Sequence, residues 1–176
     1  MKLAVAASLV HKWLGLIVSI QILFWVASGL FFTIYPIERV RSEHRVAEHA
    51  YPALDVAALP AAADIRALLP AAPAKLSFER DVLGRAVAIA EFSTGRPALI
   101  DLDARRVISP LSAEGALDIA RVAIAHAPAV REARLVTQAA PEYRGALPAW
   151  RVAFADGEGL VVYVAADTGR VTARRS

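Results

Sequence analysis

From residue 13 to residue 35 the side chains are apolar except for Ser19, Gln21, Ser28 and Thr33, and no Asp, Glu, Lys, Arg or His interrupts the run. At 1.5 Å per residue a helix of this length reaches roughly 33 Å, about the thickness of a bilayer's hydrocarbon core. Within lipid every backbone polar group must be paired inside the segment, so the run predicts a single membrane-spanning helix. Trp13 and Tyr35 stand at its ends, where amphipathic rings sit at headgroup level, and His11 with Lys12 on one side oppose Glu38, Arg39 and Arg41 on the other. A cleaved signal peptide competes with this reading, because Lys2 resembles a charged n-region and Ala27-Ser28-Gly29 offers small residues to a peptidase. The apolar run exceeds the usual core of about 7 to 15 residues and continues past that point, which favours an uncleaved anchor. Lys2 and Lys12 precede the span and Arg39, Arg41 and Arg45 follow it, so charge does not orient it. The short N-terminal tail places the following domain outside the cytoplasm.

Residues 37–48, IERVRSEHRVAE, space apolar Ile37, Val40 and Ala47 among charges and predict a juxtamembrane helix, kinked at Pro36. Tyr51-Pro52 and the Ala/Pro-rich residues 57–74 read as a linker with a short helix over 62–69, ended by Pro70. The period then changes to alternation. Strands are predicted over 75–80, 86–92, 97–102 and 107–108, with Ser93-Thr94-Gly95 and Asp103-Ala104-Arg105-Arg106 as turns. Ser112 is placed to cap a helix that carries Ala116, Leu117, Ile119, Ala120, Ala123 and Ile124 to about residue 127, where Pro128 stops it. Strands follow over 131–138, 149–155, 159–165 and 171–173, the middle pair joined by Asp156-Gly157-Glu158-Gly159.

A helix thus precedes each set of strands. Asp103-Ala104-Arg105-Arg106-Val107 aligns with Asp167-Thr168-Gly169-Arg170-Val171, and Ala90-Glu91-Phe92 parallels Val152-Ala153-Phe154. The pattern predicts an α+β fold in which a helix packed on an antiparallel sheet is used twice. The organisation read from it is a membrane helix over 1–36, a juxtamembrane helix and linker over 37–56, a first, degenerate unit over 57–109 and a second unit over 110–176.

The segment PLSAEGALDIARVAIAHAP, followed by LPAWRVAFADGEGLVVYVAADTGRV, resembles a PepSY domain, and HKWLGLIVSIQILFWVASGLFFTIYP resembles the first membrane helix of PepSY-associated membrane proteins. Together they cover nearly the whole chain. The resemblance implies a single-pass protein of the bacterial inner membrane with its soluble part in the periplasm, acting through protein contact or inhibition rather than catalysis. Longer relatives with several membrane helices are associated with ferric-siderophore reduction and bind haem through intramembrane histidines, which makes an accessory electron-transfer subunit for iron uptake the alternative. The chain departs from the family by showing one such helix, and by placing Ala165 and Ala166 before Asp167 where the family often has an Asp directly after the strand.

His11 matches the opening His of the helix motif, and the resemblance implies an axial haem ligand there, with the second ligand from another chain. Read by itself it is an interfacial residue that anchors the helix end with Lys12. His44 is roughly 50 Å away along a continuous helix, so the two cannot share a metal. His44 and His49 are spaced poorly for one helix face and read as solvated surface, and His126 as a partner of the last carbonyls of its helix. Gly15 and Ser19 form a small-xxx-small pair, and Gln21 and Ser28 add polar side chains. These four are the candidate helix–helix interface, to a membrane-protein partner or a second copy, with lipid as the other contact.

Composition narrows the chemistry. The net charge is +3, with Arg scattered among Asp and Glu, which does not indicate a nucleic-acid partner. The chain has no cysteine, which excludes disulfides, thiolate metal sites and thiol nucleophiles. No Ser/His/Asp grouping, HExxH or phosphate-cradling loop is present, and no catalytic residue is assigned. Asp101, Asp103, Asp118, Gly95, Gly157 and Gly169 read as turn or solvated-helix residues.

Overall fold

The computed structural model describes residues 2–34, 46, 47 and 49–175, with side chains from Val5 onward. The chain divides into two units, residues 1–44 and 45–176, each described by itself.

The first unit is helix α1, Lys2–Ile34. Its window Val5–Ile34 is long and apolar enough to cross a membrane, and none of it is buried within the protein. Such a helix near an N-terminus serves as an anchor or a signal sequence. It begins earlier than the apolar run predicts, because residues 3–10 are rich in Ala and Leu and contain no Gly or Pro to break a turn. His11 and Lys12 therefore lie inside the helix and not ahead of it. The kink at Pro36 and most of the juxtamembrane helix fall outside the described residues. Val46 and Ala47 are not helical: Val46 forms an antiparallel bridge to Ile124, and the Ala47 amide donates to the Ala123 carbonyl at 3.3 Å.

The segment after that bridge is strapped down where the sequence reads as a linker. The Tyr51 hydroxyl donates to the Val82 carbonyl at 2.5 Å, and Arg80 Nε donates to the Pro52 carbonyl at 2.8 Å. The Tyr51 ring lies over Gly84, where φ is +78° and a Cβ would stand 2.8 Å from ring atom Cε1. Only glycine fits that turn.

A short 3-10 turn, Val56–Ala58, is capped by Asp55, and helix α2 follows at Ala62–Ala67. Four strands then form one antiparallel sheet in sequence order: β1 (Lys75–Arg80), β2 (Ala86–Glu91), β3 (Ala98–Asp101) and β4 (Arg106–Val107). Helix α3 (Ala113–Val122) precedes the second sheet, also in sequence order: β5 (Val130–Val136), β6 (Ala149–Phe154), β7 (Val161–Ala165) and β8 (Val171–Arg175). Ser112 caps α3 as its position predicts, its Oγ accepting from the Gly115 amide at 3.2 Å. The helix stops short of residue 127 because Ile124 is drawn into the bridge with Val46 and His126 takes φ +52°.

Strand alternation gives each sheet two buried faces. Ala88, Ala90, Ala98 and Ile100 of the first sheet pack with Ile65 and Leu69 at α2. Its other face, Val87, Ile89 and Leu99, joins a core shared with Ala116, Ile119 and Ala120 of α3 and with Val152, Phe154, Val162 and Val164 of the second sheet. Helix α3 thus serves both sheets. The far face of the second sheet, Ala149, Ala153, Val161 and Tyr163, is closed by Tyr143 and Leu147 from the β5–β6 connection.

The two sheets repeat in register. Ala90 faces Ala98 as Val152 faces Val162, and Ile100 faces Val107 as Val164 faces Val171. Ala90 and Val152 both lie on the face toward the preceding helix, and so do Ile100 and Val164. In the aligned turns, positive φ falls at Arg105 (+49°) and Gly169 (+69°), the same position of each. The fold is α+β, a helix packed on an antiparallel sheet, used twice.

Candidate functional site

Helix α1 does not gather its four candidate interface residues onto one face. Gly15 and Ser19 are a turn apart and adjacent, whereas Ser19 and Ser28, nine residues apart, stand on opposite sides at 100° per residue. The hydroxyls are satisfied within the helix: Ser19 Oγ donates to the Gly15 carbonyl at 2.8 Å and Ser28 Oγ to the Trp25 carbonyl at 2.9 Å. The Gln21 side chain makes no hydrogen bond among the described residues. A Cβ at Gly15 would meet nothing within 4 Å, so the glycine leaves open surface. His11 is exposed on the same side as Gly15.

The remaining histidines are dispersed. His44 lies outside the described residues. His49 stacks on Tyr51 at 5.6 Å and its Nδ1 is 3.1 Å from the Ala47 carbonyl oxygen. His126 is exposed, and its ring does not reach the carbonyls of α3; it lies in the left-handed region beyond the helix, which ends at Val122 with Ala123 as its cap. Among the described residues no three His, Asp or Glu side chains come together as a metal site. Asp101 Oδ1 accepts from the Ala104 amide at 2.9 Å, a turn role, and Asp118 faces Arg121 at 3.8 Å on the exposed side of α3.

The aligned turns differ in what they hold. Asp167, only 7% exposed, accepts from Arg96 Nε at 2.7 Å and from its Nη2, and Arg170 Nε donates to Glu79 at 3.1 Å. Both pairs run from the β7–β8 turn back to the first sheet. The hydrogen bond to Asp167 holds the Arg96 guanidinium above its ordinary pKa, and that to Glu79 does the same for Arg170. In the first turn Arg105 instead lines two adjoining clefts of about 340 and 190 Å³, shared with Pro60 and Leu102.

Strand β5 forms one edge of the second sheet. The Ala155 amide donates to the Ala129 carbonyl and the Phe154 amide to Leu160, so along β6 Ala149, Arg151 and Ala153 turn their backbone groups to β5. Their partners Glu132, Arg134 and Val136 turn toward β6, which leaves the amides and carbonyls of Ala133 and Leu135 pointing outward from the sheet. Leu135 is 47% exposed beside them. At the end of the strand opens a cleft of about 310 Å³, bounded by Arg134, Leu135, Glu142, Tyr143 and Tyr163. Its wall is rigid. Tyr143 stacks on Tyr163 at 4.1 Å with the rings 2° from parallel, and its hydroxyl bonds the Ala146 carbonyl at 2.8 Å and Thr172 Oγ1 at 2.7 Å. Gly145 permits this, since a Cβ there would stand 2.6 Å from the Tyr143 hydroxyl. The sequence offers an alternating β5, but the direction of its free backbone groups follows only from its register with β6.

No family model matches the chain, and no curated protein and no solved structure matches it.

Proposed function

We propose that this chain is a non-catalytic binding or regulatory module of the PepSY type, anchored by α1 in the bacterial inner membrane with its α+β unit in the periplasm. A partner segment adds as a strand to β5. The observation that carries this reading is the outward backbone of Ala133 and Leu135 beside an exposed Leu135 and a cleft. Strand addition takes affinity from such main-chain groups and specificity from the pockets next to them. The alternation of helix and sheet and the motif resemblance support the family, and the length and apolarity of α1 support the anchor.

The absence of cysteine makes any introduced thiol unique. In Leu135→Cys, a membrane-impermeant maleimide applied to spheroplasts labels the chain in the proposed orientation, and labelling only after lysis overturns it. Mass spectrometry of the membrane-bound protein finds α1 retained; a mature chain lacking residues 1–29 makes α1 a signal sequence and ends the anchor reading. For the partner, a photoreactive side chain at Leu135 in native membranes gives a defined adduct. That adduct disappears in Ala133→Pro, which removes an outward amide without touching the β6 ladder. An adduct unchanged by Ala133→Pro argues against strand addition.

A further inference from the structure

Beside the open edge of β5 lies a row of side chains that one further carboxylate would complete. Arg134 on β5 faces Arg151 on β6, which in turn faces Tyr163 on β7, so the three share the face of the sheet that Tyr143 covers. Two like charges directly opposite one another in a sheet repel. The carboxylate set against them is Glu132, whose oxygens lie 3.9 Å from Arg134 Nε and 3.8 Å from Arg151 Nη1, within ion-pair range but too long for hydrogen bonds. The Arg151 side chain is only 19% exposed, and its Nε is buried with no hydrogen-bond partner. A buried donor left unpaired is costly, and Glu132 as placed does not relieve that cost. Arg134 reaches solvent at the cleft mouth with 57% of its side chain exposed.

We infer that the segment added to β5 carries an Asp or Glu opposite Arg134. The inference rests on strand addition at β5 and names the partner's chemistry: an extended, acidic peptide segment. The register supports the placement. With Ala133 and Leu135 supplying the outward hydrogen bonds, Arg134 occupies the non-hydrogen-bonded position on that side, where facing side chains of antiparallel strands approach most closely. A carboxylate there reaches the fork of Arg134 and offsets the repulsion between Arg134 and Arg151. Glu132, held between two arginines, is then free to pair with one.

The test is selection of phage-displayed random octapeptides on the full-length chain in detergent micelles, followed by affinity measurement of the selected peptides. Peptides selected on the natural sequence are enriched in Asp or Glu at one central position. They lose at least tenfold in affinity on Arg134→Gln, weaken with added salt, and are lost on Leu135→Pro. Selection on Arg134→Glu shifts the enriched position to Lys or Arg. Unchanged thermal midpoints of the Arg134 variants separate lost recognition from lost folding. Peptides that are abolished by Leu135→Pro but indifferent to both Arg134 variants overturn the acidic partner and leave strand addition standing. Peptides indifferent to Leu135→Pro, or no selected peptides at all, overturn strand addition and the acidic partner together.

Discussion

Arg105 and Gly169 occupy the same place in two aligned turns, yet one carries a Cβ in the left-handed region and the other does not. At Gly169 the requirement is double. Its φ is +69°, and an added Cβ would stand 3.1 Å from Leu99 Cδ2. Gly169→Ala is therefore expected to destabilise the fold by about 1–3 kcal/mol, seen as a lower urea midpoint with unchanged slope. Arg105 sits in an exposed turn with strain alone. Arg105→Gly relieves that strain against the added freedom of the unfolded glycine, and a gain of up to about 1 kcal/mol is expected. A loss of stability would mean that the Arg105 side chain contributes through the clefts it lines. Of this contrast the sequence shows the residue types at aligned positions; the backbone angles and the approach of Leu99 come from packing.

Helix α3 has the demanding role among the elements, since Ile119 belongs to a core reaching the faces of both sheets. Truncating it opens a cavity lined from both sides. Ile119→Ala is expected to cost about 2–5 kcal/mol, whereas Ser112→Ala, which removes only the cap, is expected to cost about 1 kcal/mol. Equilibrium urea unfolding distinguishes the two, and a single transition for Ile119→Ala is expected because both sheets lose the same contact. The spacing of apolar residues identifies α3 and its buried stripe correctly. It overextends the helix, because the bridge from Val46 to Ile124 joins residues far apart in sequence and no local signal announces it.

Within residues 45–176 the two sheets are joined by the shared core and by two ion pairs of unequal weight. Arg170 and Glu79 are both partly solvated, so their pair contributes at most about 1 kcal/mol. Asp167 is buried and takes two hydrogen bonds from Arg96, so Arg96→Ala leaves a carboxylate with no replacement donor. That variant is expected to lose about 1–3 kcal/mol, and Arg96→Ala combined with Asp167→Asn to lose less, because the uncompensated charge is gone. A double-mutant cycle on thermal or urea unfolding measures the difference. Equal losses in the single and double variants would place the cost elsewhere than in the buried charge.

Hydrophobic periodicity by itself determined the long apolar helix, the α+β class, the order of the eight strands and the pairing of the two turns, since each is written in local spacing and in residue types that recur. It could not determine which faces meet. That Tyr51 and Pro52 strap the first sheet, that Asp167 and Arg170 are tied across to it from one turn, and that Tyr143 closes the far face are contacts between segments distant along the chain. The candidate site divides in the same way. An alternating strand at β5 is legible, but the outward amides of Ala133 and Leu135 and the facing of Arg134 with Arg151 depend on register, and register is fixed by the turns and the buried face together.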